Sequence, residues 1–247
     1  MYKTYLYKIL TFFTPDFDKY IVKKLAYKKN IKIIDVGFFK GTFAKNIISK
    51  SIKKDGGGSF TLYSFEPNEN IDVKNFQKFA LNKNIKWIHS KKALGENKRK
   101  DDFTILSSFP SSGSSIDNIL ENSLWFKTRK FIIAPFRNKN NVTNKINIEV
   151  DTLDNVFETV KDIDLIKIDV EGYGYKVLEG SKNYLKNNSP IIQVEILSKK
   201  SNFHFQENQI YEYLNGLNYQ LVGRKKHYTT HLFSDVVCVD YLFEKIL

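Results

Sequence analysis

Short apolar runs alternate with longer stretches of helical period from residue 31 onward, an order that predicts strands and helices in turn. Residues 31–35 read as a strand, 42–52 as a helix and 60–66 as a second strand, with a glycine-rich loop at 55–58. This is a βαβ unit, and its continuously apolar strands predict a parallel sheet covered on both faces. A helix pattern over 71–81 leads to a strand at 85–89, then Ala93-Leu94-Gly95, a charged loop at 96–101 and a short strand at 103–106. Order resumes with a strand at 146–150, a short helix around 153–160, strand 165–170, helix 177–185, strand 190–196 and helix 206–214. Pro190 suits the first position of its strand, where no ladder donor is needed. Two closing strands, 219–223 and 233–240, flank a basic loop and predict an antiparallel hairpin at the sheet edge.

The 247 residues suffice for one domain with a full core. Within it, 107–145 is rich in serine and asparagine and too long for an ordinary connection, so it reads as a lid over the site in preference to a plain insertion. A mean hydropathy of −0.38 and the lack of a long uncharged apolar run argue against a membrane span. The stretch 5–13 is apolar but carries Lys8, lacks a small-residue cleavage site and soon meets Pro15-Asp16, so it does not read as a signal peptide. The cytoplasm is therefore expected. The single cysteine, Cys238, excludes an internal disulfide and suits a buried thiol.

A net charge of +12 points to nucleic acid, an anionic membrane or acidic substrates. The lysines are scattered among asparagine and isoleucine, which favours a solvated basic surface with no nucleic-acid partner. Residues 1–30 hold seven lysines against Asp16 and Asp18. They predict a helical extension that caps the sheet, in preference to one that contacts a second subunit in a homodimer or rests on an anionic membrane.

The run at 165–172 ends in Asp169, Glu171 and Gly172, which puts two acids at the carboxyl edge of a parallel strand, where open α/β folds bind ligands. Asp35-x-Gly37-x-x-x-Gly41 places glycines at a strand-to-helix turn, so backbone can approach a nucleoside. Phe39 occupies the second glycine position of the dinucleotide fingerprint, which argues against a pyrophosphate cofactor. Glu66 ends the second strand, where nucleoside-binding folds use an acid on the ribose; the plainer reading is an acid at a helix start opened by Pro67. Lys167 lies inside an apolar strand and needs a partner, for which Asp151 or Asp154 is expected. Asp169 with Glu171 shows no third ligand, so no metal is predicted. Ser111-Ser112-Gly113-Ser114-Ser115 is either a hydroxyl-binding part of the lid or, preferably, a plain loop.

On these stretches the chain resembles the FkbM-type family of S-adenosylmethionine-dependent methyltransferases. The matching blocks are Ile34-Asp35-Val36-Gly37 with Gly41, Phe65-Glu66-Pro67-Asn68, Ala93-Leu94-Gly95, Asp151-Thr152-Leu153-Asp154, Ile166 through Gly172 with Val177-Leu178 and Gly180, and the Glu195 strand. The resemblance spans about residues 31–197 and implies a Rossmann-like class I methyltransferase fold over 31–247. That fold has a mostly parallel seven-stranded sheet, a C-terminal antiparallel hairpin and helices on both faces. By resemblance, Asp35, Gly37 and Gly41 line the methionine end of S-adenosylmethionine, Glu66 the ribose, and the backbone of Ala93 and Leu94 the adenine. Phe38, Pro67, Asn68 and Asp169 complete the cofactor set. The chain departs from the family at Phe38-Phe39, where a small residue and asparagine are usual, and at Gly174, where a second glutamate is usual.

Methyl transfer asks the protein to position an acceptor and remove its proton. The candidate bases are Asp169, Glu171 and Glu195, with His204 in the loop after the Glu195 strand as the group better matched to neutral pH. The plain reading of His204 is an exposed residue between Phe203 and Phe205. The expected reaction is O-methylation of a sugar or glycan-type hydroxyl. A nucleic-acid methyltransferase is supported by charge alone, since the chain has no Pro-Pro dipeptide and Cys238 follows no proline. A cofactor-binding scaffold without turnover is the non-enzymatic alternative, motivated by Phe38-Phe39 and Gly174.

Overall fold

A computed structural model describes residues 16–55, 58–106, 143–227 and 235–246. The expected serine-rich loop 111–115, most of the expected lid and the first fifteen residues lie outside the described residues; 143–145 belong to a strand. In chain order the elements are α1 (Phe17–Leu25), β1 (Asn30–Val36), α2 (Thr42–Asp55), β2 (Ser59–Phe65), α3 (Lys74–Asn82), β3 (Lys86–Ser90), β4 (Ala93–Leu94) and β5 (Arg99–Leu106). They continue with β6 (Thr143–Asp151), α4 (Leu153–Val156), β7 (Leu165–Ile168), α5 (Gly174–Glu179), α6 (Lys182–Asn187), β8 (Ile191–Lys199), α7 (Phe203–Gly216), β9 (Tyr219–His227) and β10 (Val236–Lys245).

Seven strands form one sheet in the order β3-β2-β1-β7-β8-β10-β9, parallel from β3 to β8. β10 runs antiparallel to both β8 and β9, so the closing hairpin is at the edge as expected. The chain reverses direction across the sheet between β1 and β7, the kind of switch point where open α/β sheets hold ligands. A second sheet of order β4-β6-β5 was not anticipated: β6 and the end of β5 were legible as strands, but the two-residue strand Ala93–Leu94 and the pairing of β5 with β6 across residues 107–142 were not. The charged stretch read as a loop at 96–101 begins β5 at Arg99. Its charges fit an edge strand, which charged side chains protect from further pairing.

Two apolar cores cover the two faces of the large sheet. On one, Ile34, Val36, Ile166, Ile168, Ile192 and Val194 pack against α5, α6 and α7. On the other, Ile31, Ile33, Leu62, Leu165 and Ile191 pack against α1, α2 and α3. α1 is started by Asp16, whose carboxylate accepts the Lys19 N–H at 3.2 Å, and buries Phe17, Ile21 and Leu25 along one stripe. The predicted helix at 177–185 is two helices, broken at Gly180 and Ser181. A Cβ on Gly180 would stand 1.9 Å from the Gly95 carbonyl oxygen, so this turn packs backbone against backbone.

Candidate cofactor and acceptor site

The site follows from a change of character along one face of the strands. On the α1–α2–α3 face, apolar Ile33, Leu62, Leu165 and Ile191 are each followed two residues later by Asp35, Ser64, Lys167 and Gln193. These four polar residues stand in one row across the sheet. Two residues further on come Gly37, Glu66, Asp169 and Glu195, with Asp240 directly opposite Glu195 on β10. The other face stays apolar through Phe65, Val36, Ile168 and Val194.

A cavity of about 420 Å³ is lined by the whole second row and by Lys167 and Gln193 of the first. That volume is within the range of small-molecule sites, about 300–1,000 Å³. Ala93 and Leu94 of β4 and Phe103 of β5 supply an apolar wall from the smaller sheet, and Tyr173, Phe39 and Phe43 add aromatic surface. Of the residues singled out from sequence, Gly37, Phe38, Glu66, Pro67, Asn68, Ala93, Leu94, Asp169, Glu171 and Glu195 line this cavity.

Three do not. Asp35 is fully buried behind it, Gly41 opens the turn into α2 by donating its N–H to the Phe38 carbonyl at 2.8 Å, and His204 is elsewhere. His204 sits in the first turn of α7, not in a loop, with its side chain 87% exposed and its Nδ1 3.3 Å from Glu207 Oε2. Helix α7 starts three residues earlier than its periodicity suggested, because Phe203 is buried and anchors that turn.

The turn after β1 is tight. Gly37 has a φ of +80°, and a Cβ there would stand 1.8 Å from the Asp169 carbonyl oxygen. Phe39 also has a left-handed φ, +48°, and donates its N–H to Glu66 Oε2 at 2.9 Å. Glu66 Oε1 accepts the Asn68 N–H at 3.0 Å. Each carboxylate oxygen keeps a second lone pair for a ligand hydroxyl. Phe38, the departure from the usual small residue, is buried and packs edge-on to Phe76 with ring centroids 4.9 Å apart, and near Trp87 and His89. It fills the space beneath the turn. Gly174 has a packing reason too: a Cβ there would meet Val194 Cγ2 at 3.2 Å and the Glu195 carbonyl at 3.3 Å.

Lys167 does not pair with Asp151 or Asp154 as expected. Its ammonium lies 3.1 Å from Asp169 Oδ2 and 3.4 Å from Asp35 Oδ1. Asp151 instead meets Lys92 at 3.2 Å, and Asp154 accepts the N–H groups of Asn183 and Tyr184 at the start of α6. Asp35 is set by strand register, which sequence spacing does not reveal, whereas Asp169 lies two residues further along the same strand end and was within reach of spacing. Burial works against the charged ammonium, but Asp169 and Asp35 together hold it above its ordinary range. Burial pushes the Asp35 carboxyl up to about 6 against the pull of Lys167. Glu195 is raised well above the ordinary carboxyl range by burial, then by Asp169 and Glu171 nearby. The Cys238 thiol donates to Glu195 Oε1 at 3.0 Å and is itself raised by burial and that carboxylate.

The comparisons with known proteins now bear on this geometry. A model of the methyltransferase FkbM domain matches residues 35–221, most of the chain and all of the first row. The chain belongs to the FkbM methyltransferase family. No curated protein matches it as a relative. Among solved structures, the methyltransferase FkbM from Methylobacillus flagellatus KT aligns with a TM-score of 0.52 at 15% identity, over 91% of this chain and 50% of that one. The chain thus spans about half the length of that protein. A putative rRNA-methylase from Clostridium thermocellum gives a TM-score of 0.48 at 9% identity, over 93% of each chain. An rRNA methylase from Streptococcus thermophilus gives 0.47 at 10%, over 93% of this chain and 94% of its own. Neither of these two bears on the acceptor.

The FkbM family's cofactor is S-adenosylmethionine, and the residues present fit it. The spare lone pairs of Glu66 suit ribose hydroxyls, and Ala93, Leu94 and Phe103 form an apolar wall for a purine. Gln193, Asp240, Phe103 and Tyr173 also line the cavity and were not singled out from sequence. Gln193 was within reach: it lies two residues before Glu195, as Lys167 does before Asp169. Asp240 was not, since only strand pairing brings it to Glu195.

Proposed function

We propose that this chain transfers a methyl group from S-adenosylmethionine to a hydroxyl of a sugar or glycan. The observation that carries the reading is a single cavity holding two kinds of carboxylate, one tied to backbone N–H groups at the β2 tip and one held among other acids in the middle of β8, level with the tip of β7. Bound cofactor supplies an electrophilic methyl on a positively charged sulfur. Glu66 binds the ribose hydroxyls while keeping the turn at Phe39 in place, and the turn at Gly37 lets backbone come close to the methionine end. Ala93 and Leu94 hold the adenine.

The acceptor side is formed by Asp169, Glu171 and Glu195. Glu195 is the proposed proton acceptor, because its raised proton affinity matches a hydroxyl proton better than an ordinary carboxylate does. Asp169 and Glu171 orient the acceptor hydroxyl, as carboxylates accept hydrogen bonds from sugar hydroxyls. The tight packing around Gly174 and the filled space under Phe38 support a working site over a scaffold. Among the described residues no helix is long and apolar enough to cross a membrane. The cytoplasm is our reading of its location, consistent with one buried thiol.

Calorimetry with S-adenosylmethionine and its demethylated product, followed by methyl transfer to a panel of sugars, tests this. Binding with transfer to a neutral sugar hydroxyl is expected. Binding without transfer to any sugar overturns the acceptor, and no binding overturns the cofactor.

A further inference from the structure

We infer that Lys167 is a positioning residue that clamps the cofactor turn to the catalytic strand tip, beyond its service as a counter-ion. The inference rests on the cofactor reading above. The Lys167 side chain starts in the first polar row and runs along the sheet face to the second. Its ammonium lies 3.1 Å from Asp169 Oδ2 and donates to the Gly37 carbonyl oxygen at 3.4 Å. It also lies 3.4 Å from Oδ1 of the fully buried Asp35. The Phe43 ring, 5.4 Å from Nζ, covers it from α2.

One cation thus faces oxygens from the end of β1, the turn that follows and the tip of β7. A Cβ on Gly37 would stand 1.8 Å from the Asp169 carbonyl oxygen, so the ammonium bridges two segments whose backbones already pass close together. Lys167 is also a cavity-lining group, whereas Asp35 is not. Two tasks follow: balancing the buried Asp35 charge, which concerns stability, and orienting Gly37 and Asp169, which concerns ligand binding.

A double-variant cycle separates the two tasks. Lys167→Met alone strands Asp35 without its cation and is expected to melt well below the wild type. Lys167→Met with Asp35→Asn removes both charges and is expected to melt within about 3 °C of Asp35→Asn alone. The same double variant should bind the demethylated cofactor about tenfold or more weakly than Asp35→Asn, because charge-assisted contacts to Gly37 and Asp169 are gone. Equal binding by the double variant and Asp35→Asn would reduce Lys167 to a counter-ion and overturn the inference. A double variant that stays unstable would overturn the separation of tasks. A wild-type protein that binds neither cofactor form defeats the cofactor reading itself, an outcome distinct from both.

Discussion

The two ends of the cavity use the same functional group in opposite ways. At the β2 end, Glu66 gives one oxygen to Phe39 N–H at 2.9 Å and the other to Asn68 N–H at 3.0 Å, so its carboxylate is fixed by backbone. At the β8 end, Glu195 takes a thiol donor, stands opposite Asp240 across the strand pair, and has Asp169 and Glu171 nearby. Burial raises the proton affinity of both carboxyls; at Glu66 the two backbone donors pull against it, whereas at Glu195 Asp169 and Glu171 add to it and carry that group well above the ordinary range. The first end suits binding and the second suits proton transfer.

The largest effect expected is on turnover at the β8 end. Glu195→Gln should lower kcat by about 100-fold or more, the ordinary worth of a positioned base, while cofactor affinity stays within about threefold. Single-turnover methylation beside calorimetry reads both, and a parallel fall of both would erase the contrast between the ends. Glu66→Ala should act the other way. It leaves two N–H groups without their acceptor and is expected to weaken binding of the demethylated cofactor by about 10- to 100-fold.

The pH dependence sharpens the same contrast. A carboxyl whose folded-state proton affinity is raised binds more protons folded than unfolded, so it lowers stability as pH rises from its ordinary value toward its raised one. For Glu195 this loss begins near 4.5, and for Asp35 it runs between 3.8 and about 6. Glu195→Gln should therefore gain in Tm relative to the wild type as pH rises from about 4.5 to neutrality. A constant difference across that range would place Glu195 among ordinary carboxylates. The smallest effect is expected at His204, which is exposed and outside the cavity: His204→Ala should leave kcat within about twofold.

Much of this was legible in the chain. The Asp35 and Gly37 turn, Glu66 before Pro67, and the Asp169–Glu171 tip were readable because one face of each strand changes from apolar to polar toward its carboxyl end. Period-two spacing also carried Gln193, which went unread. What spacing does not encode is lateral register. The pairing of Lys167 with Asp35, Asp240 opposite Glu195, and the β4-β6-β5 sheet all depend on which strands lie side by side. His204 was misplaced for a different reason: with Phe203 buried the helix begins three residues earlier than its periodicity suggested, and the imidazole is exposed on its first turn, outside the cavity.

A crystal structure with the demethylated cofactor tests the central claim most directly. The account predicts ribose hydroxyls within hydrogen-bond distance of Glu66, the adenine against Ala93 and Leu94, and the sulfur turned toward Asp169 and Glu195. Density for that molecule outside the cavity, or a ribose facing away from Glu66, would contradict it.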